Sequence, residues 1–385
     1  MQPTRGERPH IGFFGRRNAG KSRLINALSR QEMSIVSDTP GTTTDLVQKS
    51  MEILPLGPVV LVDTPGLDDE GELGEKRVQV SEKALNTMDI AVLVIDERGI
   101  GEMEEKLLTR WREEKKPHLI VRNKIDEGGE IPEGALPVSG LTGEGIDALL
   151  KALGEMRQGL TEKKILDGLM KEGDLVVLVI PIDASAPKDR IILPQQMVLR
   201  EVLDAHGLAL CLQVEELKEA MTTRGLRPDL VITDSQAFGA VSKIVPEEIS
   251  LTSFSILMAR YKGNLSLLLD GIAALNRPRT KRILISEGCT HRRSCEDIGT
   301  VKIPQWIREY TGREDLEFLF STGRDFPEEE VDLVIHCGGC MLTPKEMQER
   351  MKLSKQKAIP MTNYGMLIAH VHNILPRAMA VFHEK

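Results

Sequence analysis

An α/β chain of three domains is predicted by three observations. Short β-branched runs alternate with helical stretches from end to end, the pattern of parallel sheets flanked by helices. At 385 residues the chain is long enough for two or three separate cores. A charged run, Gln158–Gly173, reads as a helical linker after the first domain, and a new set of strands begins after Pro278. The expected domains are 1–160, 161–266 and 267–385.

In the first domain the predicted strands are His10–Phe14, Val59–Val62, Ile90–Ile95, His118–Val121 and Leu136–Val138. Met51–Leu54 forms a hairpin with Val59–Val62, with Gly57 and Pro58 in the connection, and Ile146–Met156 is a closing helix. The result is a mostly parallel, doubly wound sheet. The second segment runs through strand Leu175–Ile182, helix Gln195–His206, strand Ala209–Val214, helix Glu215–Thr223, strand Leu230–Thr233 and strand Ile249–Ile256. It carries no motif for chemistry and reads as a docking or oligomerization module. The third has strands Arg282–Ser286, Glu317–Phe320 and Leu333–Ile335 and helices Pro344–Lys355 and Gly365–Leu375. Its cysteines fall just past strand ends, where open α/β sheets present ligands.

Composition narrows the function class. Charged residues at 28% and hydrophobic residues at 41% are ordinary for a soluble protein. A net charge of −8 argues against a constitutive nucleic-acid surface, which needs clustered Lys and Arg to neutralise phosphates. Met1–His10 is polar, and no run of 18 apolar residues occurs, so neither a secretory signal nor a membrane span is expected and the chain reads as cytoplasmic. The five cysteines are odd in number, and four lie in the last 100 residues, which points to ligand chemistry rather than a disulfide framework. Cys211, in an apolar strand, and Cys295 read as packing residues.

The first domain carries a nucleotide site. Gly15-Arg-Arg-Asn-Ala-Gly-Lys-Ser22 fits G-x-x-x-x-G-K-[ST] between a strand and a helix. Its glycines let backbone N–H groups face the phosphates at a helix N-terminus, so Gly15, Asn18, Ala19, Gly20, Lys21, Ser22 and Arg23 are assigned to the nucleotide. Lys21 neutralises the β- and γ-phosphates, and Ser22 ligates Mg²⁺. Thr42-Thr43-Thr44 suits a first switch loop, with Thr43 on Mg²⁺ and the γ-phosphate. Asp63-Thr-Pro-Gly66 follows a strand; Asp63 reaches Mg²⁺ through water and the Gly66 N–H senses the γ-phosphate. Asn123-Lys124-Ile-Asp126 selects guanine, because the Asp126 carboxylate accepts from N1–H and N2–H₂, which adenine lacks. Ser139 and Gly140 complete the base pocket. Leu67 stands where Ras-like enzymes carry a water-orienting glutamine, so hydrolysis is expected to be slow or to use another device.

The third domain carries Cys289-Thr-His291 and His336-Cys337-Gly-Gly-Cys340, with 44 residues between the two histidines. Cys337 and Cys340 share one turn. With Cys289 they supply three thiolates for a 4Fe–4S cluster, leaving one iron to an exchangeable ligand. His291, His336, Glu296 and Asp297 are candidates for that fourth place, as is water. Zinc is the rival occupant, since Cys₃His is an ordinary structural site.

The P-loop asparagine Asn18 and the run Gly41-Thr42-Thr43-Thr44-Asp45 resemble the potassium-activated GTPases of the TrmE and Era type, which implies K⁺ held by Asn18. The whole order, a G domain, a small α/β domain and a Cys-x-His … His-Cys-x-x-Cys domain, closely resembles the HydF family of FeFe-hydrogenase maturation GTPases. That resemblance implies a dimerization domain in the middle, joined through sheet edges, and a C-terminal cluster domain able to support tetramers. It also implies a carrier that accepts a diiron precursor from radical-SAM maturases and delivers it to apo FeFe-hydrogenase. The alternative is a TrmE/Era-type RNA-modification or ribosome-assembly GTPase with a structural zinc site.

Overall fold

A computed structural model describes residues 8–29, 47–53, 56–67, 85, 87–159, 164–182, 191–288, 298–322, 330–339 and 342–382. The chain forms two compact units, Met1–Glu162 and Lys163–Lys385.

The first unit holds β1 (His10–Phe14), α1 (Lys21–Ser29), β2 (Val47–Ile53), β3 (Gly57–Asp63), β4 (Ile90–Ile95), α2 (Glu102–Glu113), β5 (His118–Arg122), β6 (Ala135–Pro137) and α3 (Ile146–Gly159). The strands order as β2-β3-β1-β4-β5-β6, and only β2 is antiparallel. Side-chain alternation explains the layers. Ile90, Val92 and Val94 of β4 face α1 and α3 through Leu24, Leu28, Leu149 and Leu153. Ala91, Leu93 and Ile95 face the opposite layer with Leu108 and Trp111 of α2. The hairpin is tighter than expected: Gly57 and Pro58 lie inside the ladder, opposite Ile53 and Glu52. Gly57 adopts φ +71°, open to glycine at low cost, and a proline beside a strand's first residue removes little from the ladder.

The second unit holds two four-stranded parallel sheets. Its elements are β7 (Leu175–Val179), α4 (Leu193–Asp204), β8 (Leu208–Leu212), α5 (Val214–Thr222), β9 (Leu230–Thr233), α6 (Phe238–Ile244), β10 (Ser250–Ser253), α7 (Phe254–Lys262) and α8 (Leu265–Leu275). After them come β11 (Arg282–Glu287), α9 (Ile303–Thr311), β12 (Glu317–Thr322), β13 (Leu333–His336), α10 (Pro344–Gln356), β14 (Met361–Asn363), α11 (Tyr364–Val371) and α12 (Leu375–Ala380). The sheets order as β10-β9-β7-β8 and β12-β11-β13-β14. One continuous apolar core joins them, running from Val177 and Val231 to Leu284 and Ile335. The boundary expected at 266/267 therefore separates two sheets but not two cores. Helix α8 lies directly on β14: a Cβ at Gly271 would stand 2.1 Å from the Met361 carbonyl oxygen.

The structure departs from the expected pattern at four places. The strand expected over Ile249–Ile256 ends at Ser253, whose Oγ accepts the Ile256 N–H at 3.3 Å and caps α7. The helix expected over Gly365–Leu375 breaks into α11 and α12 at Asn373, where φ is +58°. The linker expected over Gln158–Gly173 is not one helix: Gln158 and Gly159 close α3, and residues 164–173 form turns, with Gly168 and Gly173 at positive φ and Ile165 and Leu166 buried. Cys211 is exposed rather than packed, because among the described residues β8 is an edge strand paired with β7 alone. Among the described residues no helix is long and apolar enough to cross a membrane.

Candidate functional site

The loop after β1 folds around its own lysine. Gly15 takes φ +146°, and a Cβ there would stand 2.2 Å from the Val94 carbonyl oxygen, so no side chain fits. Lys21 Nζ donates to the Gly15 and Arg16 carbonyls at 2.9 Å each and is 7% exposed. Asn18 is exposed with φ +62°, a left-handed conformation that asparagine tolerates. Ser22 Oγ donates to Asp63 Oδ2 at 2.5 Å. Asp63 Oδ1 is buried and has no hydrogen-bond partner, and burial pushes the Asp63 carboxyl above its usual range. A desolvated carboxylate oxygen beside a serine hydroxyl is the donor set that a hard divalent cation such as Mg²⁺ relieves. Gly66 follows directly, and Leu67 donates its N–H to the Gly15 carbonyl at 3.2 Å and is buried.

The base side is bound to the phosphate side through Asn123. This residue is 1% exposed; its Nδ2 donates to the Ala19 carbonyl at 2.9 Å, and its Oδ1 accepts the Gly140 N–H at 3.0 Å. A Cβ at Gly20 would collide with Asn123 Nδ2 at 2.2 Å, so the second P-loop glycine makes room for the asparagine. Ser139 Oγ donates to Asp126 Oδ1 and accepts the Leu141 and Thr142 N–H groups at 3.2 and 3.0 Å. Lys124 takes φ +63°, and Arg23 lies on α1. Two positioning contacts had no motif to announce them. Arg122 is 1% exposed and donates to the Gly128 and Glu130 carbonyls at 2.8 and 3.3 Å, shaping the base loop. Arg16 pairs with buried Glu104 of α2 at 2.6 and 2.7 Å, holding the P-loop from the side. Thr43 lies outside the described residues.

In the second unit, β11 and β13 run parallel with Ser286 opposite His336. Cys337 therefore emerges beside the end of β11, and its N–H donates to the Ser286 carbonyl at 2.9 Å. The sulfur accepts two backbone N–H groups, from Gly288 at 3.2 Å and from Gly339 at 3.4 Å. Gly288 is the residue before Cys289, so the register sets the last described residue after β11 against the Cys337 sulfur. Gly339 takes φ +59°, and a Cβ there would stand 2.4 Å from Met347 Cε.

His336 is completely buried. Its Nδ1 lies 2.7 Å from the Cys337 carbonyl oxygen and its Nε2 lies 2.7 Å from Arg350 Nη1. Because Arg350 only donates, Nε2 accepts and Nδ1 carries the proton. Desolvation, reinforced by the Arg350 charge, pushes its pKa down to about 3. As placed, His336 has no lone pair free for a metal, and it braces the loop from behind. Cys289, His291, Cys295, Glu296, Asp297 and Cys340 lie outside the described residues. Buried Glu287, which accepts from Tyr364 Oη at 3.1 Å, puts a carboxylate beside the loop that sequence reasoning passed over.

Residues 265–381 match the hydrogen maturase F tetramerization domain, and residues 165–263 match the hydrogen maturase F dimerization domain. Between them these two matches span more than half of the chain. The chain belongs to the hydrogen maturase F family. Residues 10–124 match the family described as 50S ribosome-binding GTPase. Among curated proteins, the tRNA modification GTPase MnmE of Parasynechococcus marenigrum is 34% identical over 230 residues, covering 56% of this chain and 48% of that protein. MnmE of Coxiella burnetii is 43% identical over 126 residues, covering 32% of this chain and 28% of that protein. The hydrogen maturase F chain thus spans half or less of these relatives. Solved structures with likeness include a single-residue variant of Aquifex aeolicus Era bound to GDP·AlF₄⁻, at 20% identity, TM-score 0.33, 55% of this chain and 93% of that one. The G domain of the T. maritima FeoB iron transporter gives 22% identity and TM-score 0.32, over 39% of this chain and 99% of that one.

Proposed function

We propose that this member of the hydrogen maturase F family is a GTP-hydrolysing maturation factor for FeFe-hydrogenase that carries a 4Fe–4S cluster with one exchangeable iron. On this reading it accepts a diiron precursor from radical-SAM maturases and delivers it to the apo-hydrogenase. The observation that carries the cluster assignment is the pair of backbone N–H groups on Cys337 Sγ at the joined ends of β11 and β13. Amides directed at a cysteine sulfur stabilise a thiolate and are a recognised means of tuning an iron–sulfur centre. Cys289, Cys337 and Cys340 would hold the cluster, whose chemistry here is an open coordination site for the precursor. His291, Glu296, Asp297 and water are the remaining choices for that site.

In the G domain, Lys21 balances phosphate charge, Ser22 and Thr43 hold Mg²⁺ with Asp63 behind it, and Gly66 reports the γ-phosphate. Asp126, Ser139 and Gly140 read guanine. Buried Leu67 offers no group to orient water, which favours a K⁺ at Asn18 as the charge-stabilising device. GTP turnover then serves as timing, through switch loops that change contacts. The parallel sheet of the middle domain ends in β8, with Leu208 61% exposed, which supports homodimer formation along that edge. A cytoplasmic carrier without nucleic acid or membrane partners fits the net charge of −8.

The test is iron and sulfide quantification on anaerobically purified protein, with EPR of the reduced form before and after imidazole. Iron and sulfide with an imidazole-sensitive spectrum is expected, and Cys337→Ser should lose it while hydrolysing GTP normally. Zinc without iron or sulfide would end the carrier reading.

A further inference from the structure

The most deeply buried lysine near the cysteine loop comes from the helix that follows β10 of the neighbouring sheet. Lys262 is the last residue of α7, and its side chain is 1% exposed. Fully burying a lysine is costly unless its donors are satisfied. Here Nζ donates to the Gly339 carbonyl and to the Leu342 carbonyl, each at 2.8 Å. Those two carbonyls bracket Cys340. The residue whose carbonyl is gripped, Gly339, also aims its own N–H at Cys337 Sγ. One ammonium thus fixes the backbone on both sides of one cysteine and, through Gly339, the donor to another.

The setting strengthens this role. Helix α7 is anchored at its start by the Ser253 cap and packed along its length by buried Ile256, Leu257 and Met258. Its C-terminal end is where a cation is favoured by the helix dipole. The cavity beside Nζ is lined by Met258, Met347, Met351 and Met361 together with Cys337 and His336. In such an apolar pocket a charge is screened far less than in water. Three thiolates around a 4Fe–4S core make an anionic centre, and a fixed cation beside it would favour the more reduced state.

We propose that Lys262 is a positioning residue for the cluster loop, holding its backbone at Gly339 and Leu342 and, through the Gly339 N–H, the Cys337 sulfur, and that it raises the reduction potential of the centre bound there. The redox half of this inference rests on the cluster reading above; the loop half does not.

The experiment compares the full chain with Lys262→Met and with the milder Lys262→Gln. In metal-free protein, hydrogen exchange at residues 338–342 should accelerate at least tenfold in both variants, with exchange in the G domain unchanged. In anaerobically reconstituted protein, EPR-monitored redox titration should give a lower midpoint potential for both, and chelator-driven iron release should be about tenfold faster. Lys262→Arg, which keeps charge and donors, should restore the potential. Wild-type exchange in the loop together with a wild-type potential in Lys262→Met and Lys262→Gln would overturn the inference. If the unaltered chain takes up no iron, the proposed function fails, while loop exchange in the metal-free variants still decides whether Lys262 holds the loop.

Discussion

Replacing Asn123 by alanine tests the link between the two sides of the nucleotide site. The side chain touches no phosphate motif by sequence, yet it makes two buried hydrogen bonds, to the Ala19 carbonyl and from the Gly140 N–H. Truncation leaves a buried acceptor and a buried donor without their partner. At about 1.5 kcal/mol for each, the bound geometry loses about 3 kcal/mol. At about 1.4 kcal/mol per decade this is a loss in GDP affinity of roughly 100-fold. Titration with a fluorescent GDP analogue reads the affinity, and a parallel thermal melt of the nucleotide-free protein separates binding from unfolding. An affinity within threefold of the unaltered protein would refute the reasoning, because the bridge would then not organise the site.

Asp126→Asn should weaken GTP by about 100-fold or more, from loss of charge-assisted hydrogen bonds to the guanine edge. The same variant should gain affinity for XTP, measured by competition; unchanged GTP binding would reject Asp126 as the base reader. GTP turnover should fall when K⁺ is replaced by Na⁺ at constant ionic strength, and equal rates in a phosphate-release assay would remove Asn18 as a K⁺ ligand. Asp332 accepts the Arg282 and Lys281 N–H groups at 2.8 Å each, and these bonds hold its carboxyl below the usual carboxylate range. A depressed folded value gives stability above the unfolded value of about 4 that is lost as pH falls through the folded one. Asp332→Asn should therefore be destabilised near neutrality by about 1 kcal/mol and show a flatter acid limb in denaturant melts between about pH 5 and 2.

The G domain was legible because its chemistry is written in contiguous motifs. Gly15 to Ser22, Asp63 to Gly66 and Asn123 to Asp126 stand at strand ends, and the strands beside them were marked by β-branched runs. Arg16, Glu104 and Arg122 were not legible, since a buried ion pair and a carbonyl clamp leave no spacing signature. In the second unit the apolar run after Ser253 reads equally well as strand or helix, and only the serine cap decides it. Gly365–Leu375 looked like one helix because Asn373 breaks it through backbone conformation rather than composition. His336 looked like a ligand from its place beside Cys337. Its partner Arg350 lies 14 residues away on α10, a relation that only the fold supplies. Lys262 was hidden for the same reason, its targets lying 77 and 80 residues downstream.

The apolar interior shared by the two sheets of the second unit bears on how that half of the molecule comes apart. A fragment ending at Gly263 would lay bare the side of β10 that rests against α12, where Thr252 Oγ1 donates to the Ala378 carbonyl. A fragment beginning at Asn264 would strip α12 of the same cover. Neither piece should melt as a sharp, independent transition. The segment that matches the dimerization domain and the one that carries the cysteines are expected to fold, and to fail, together.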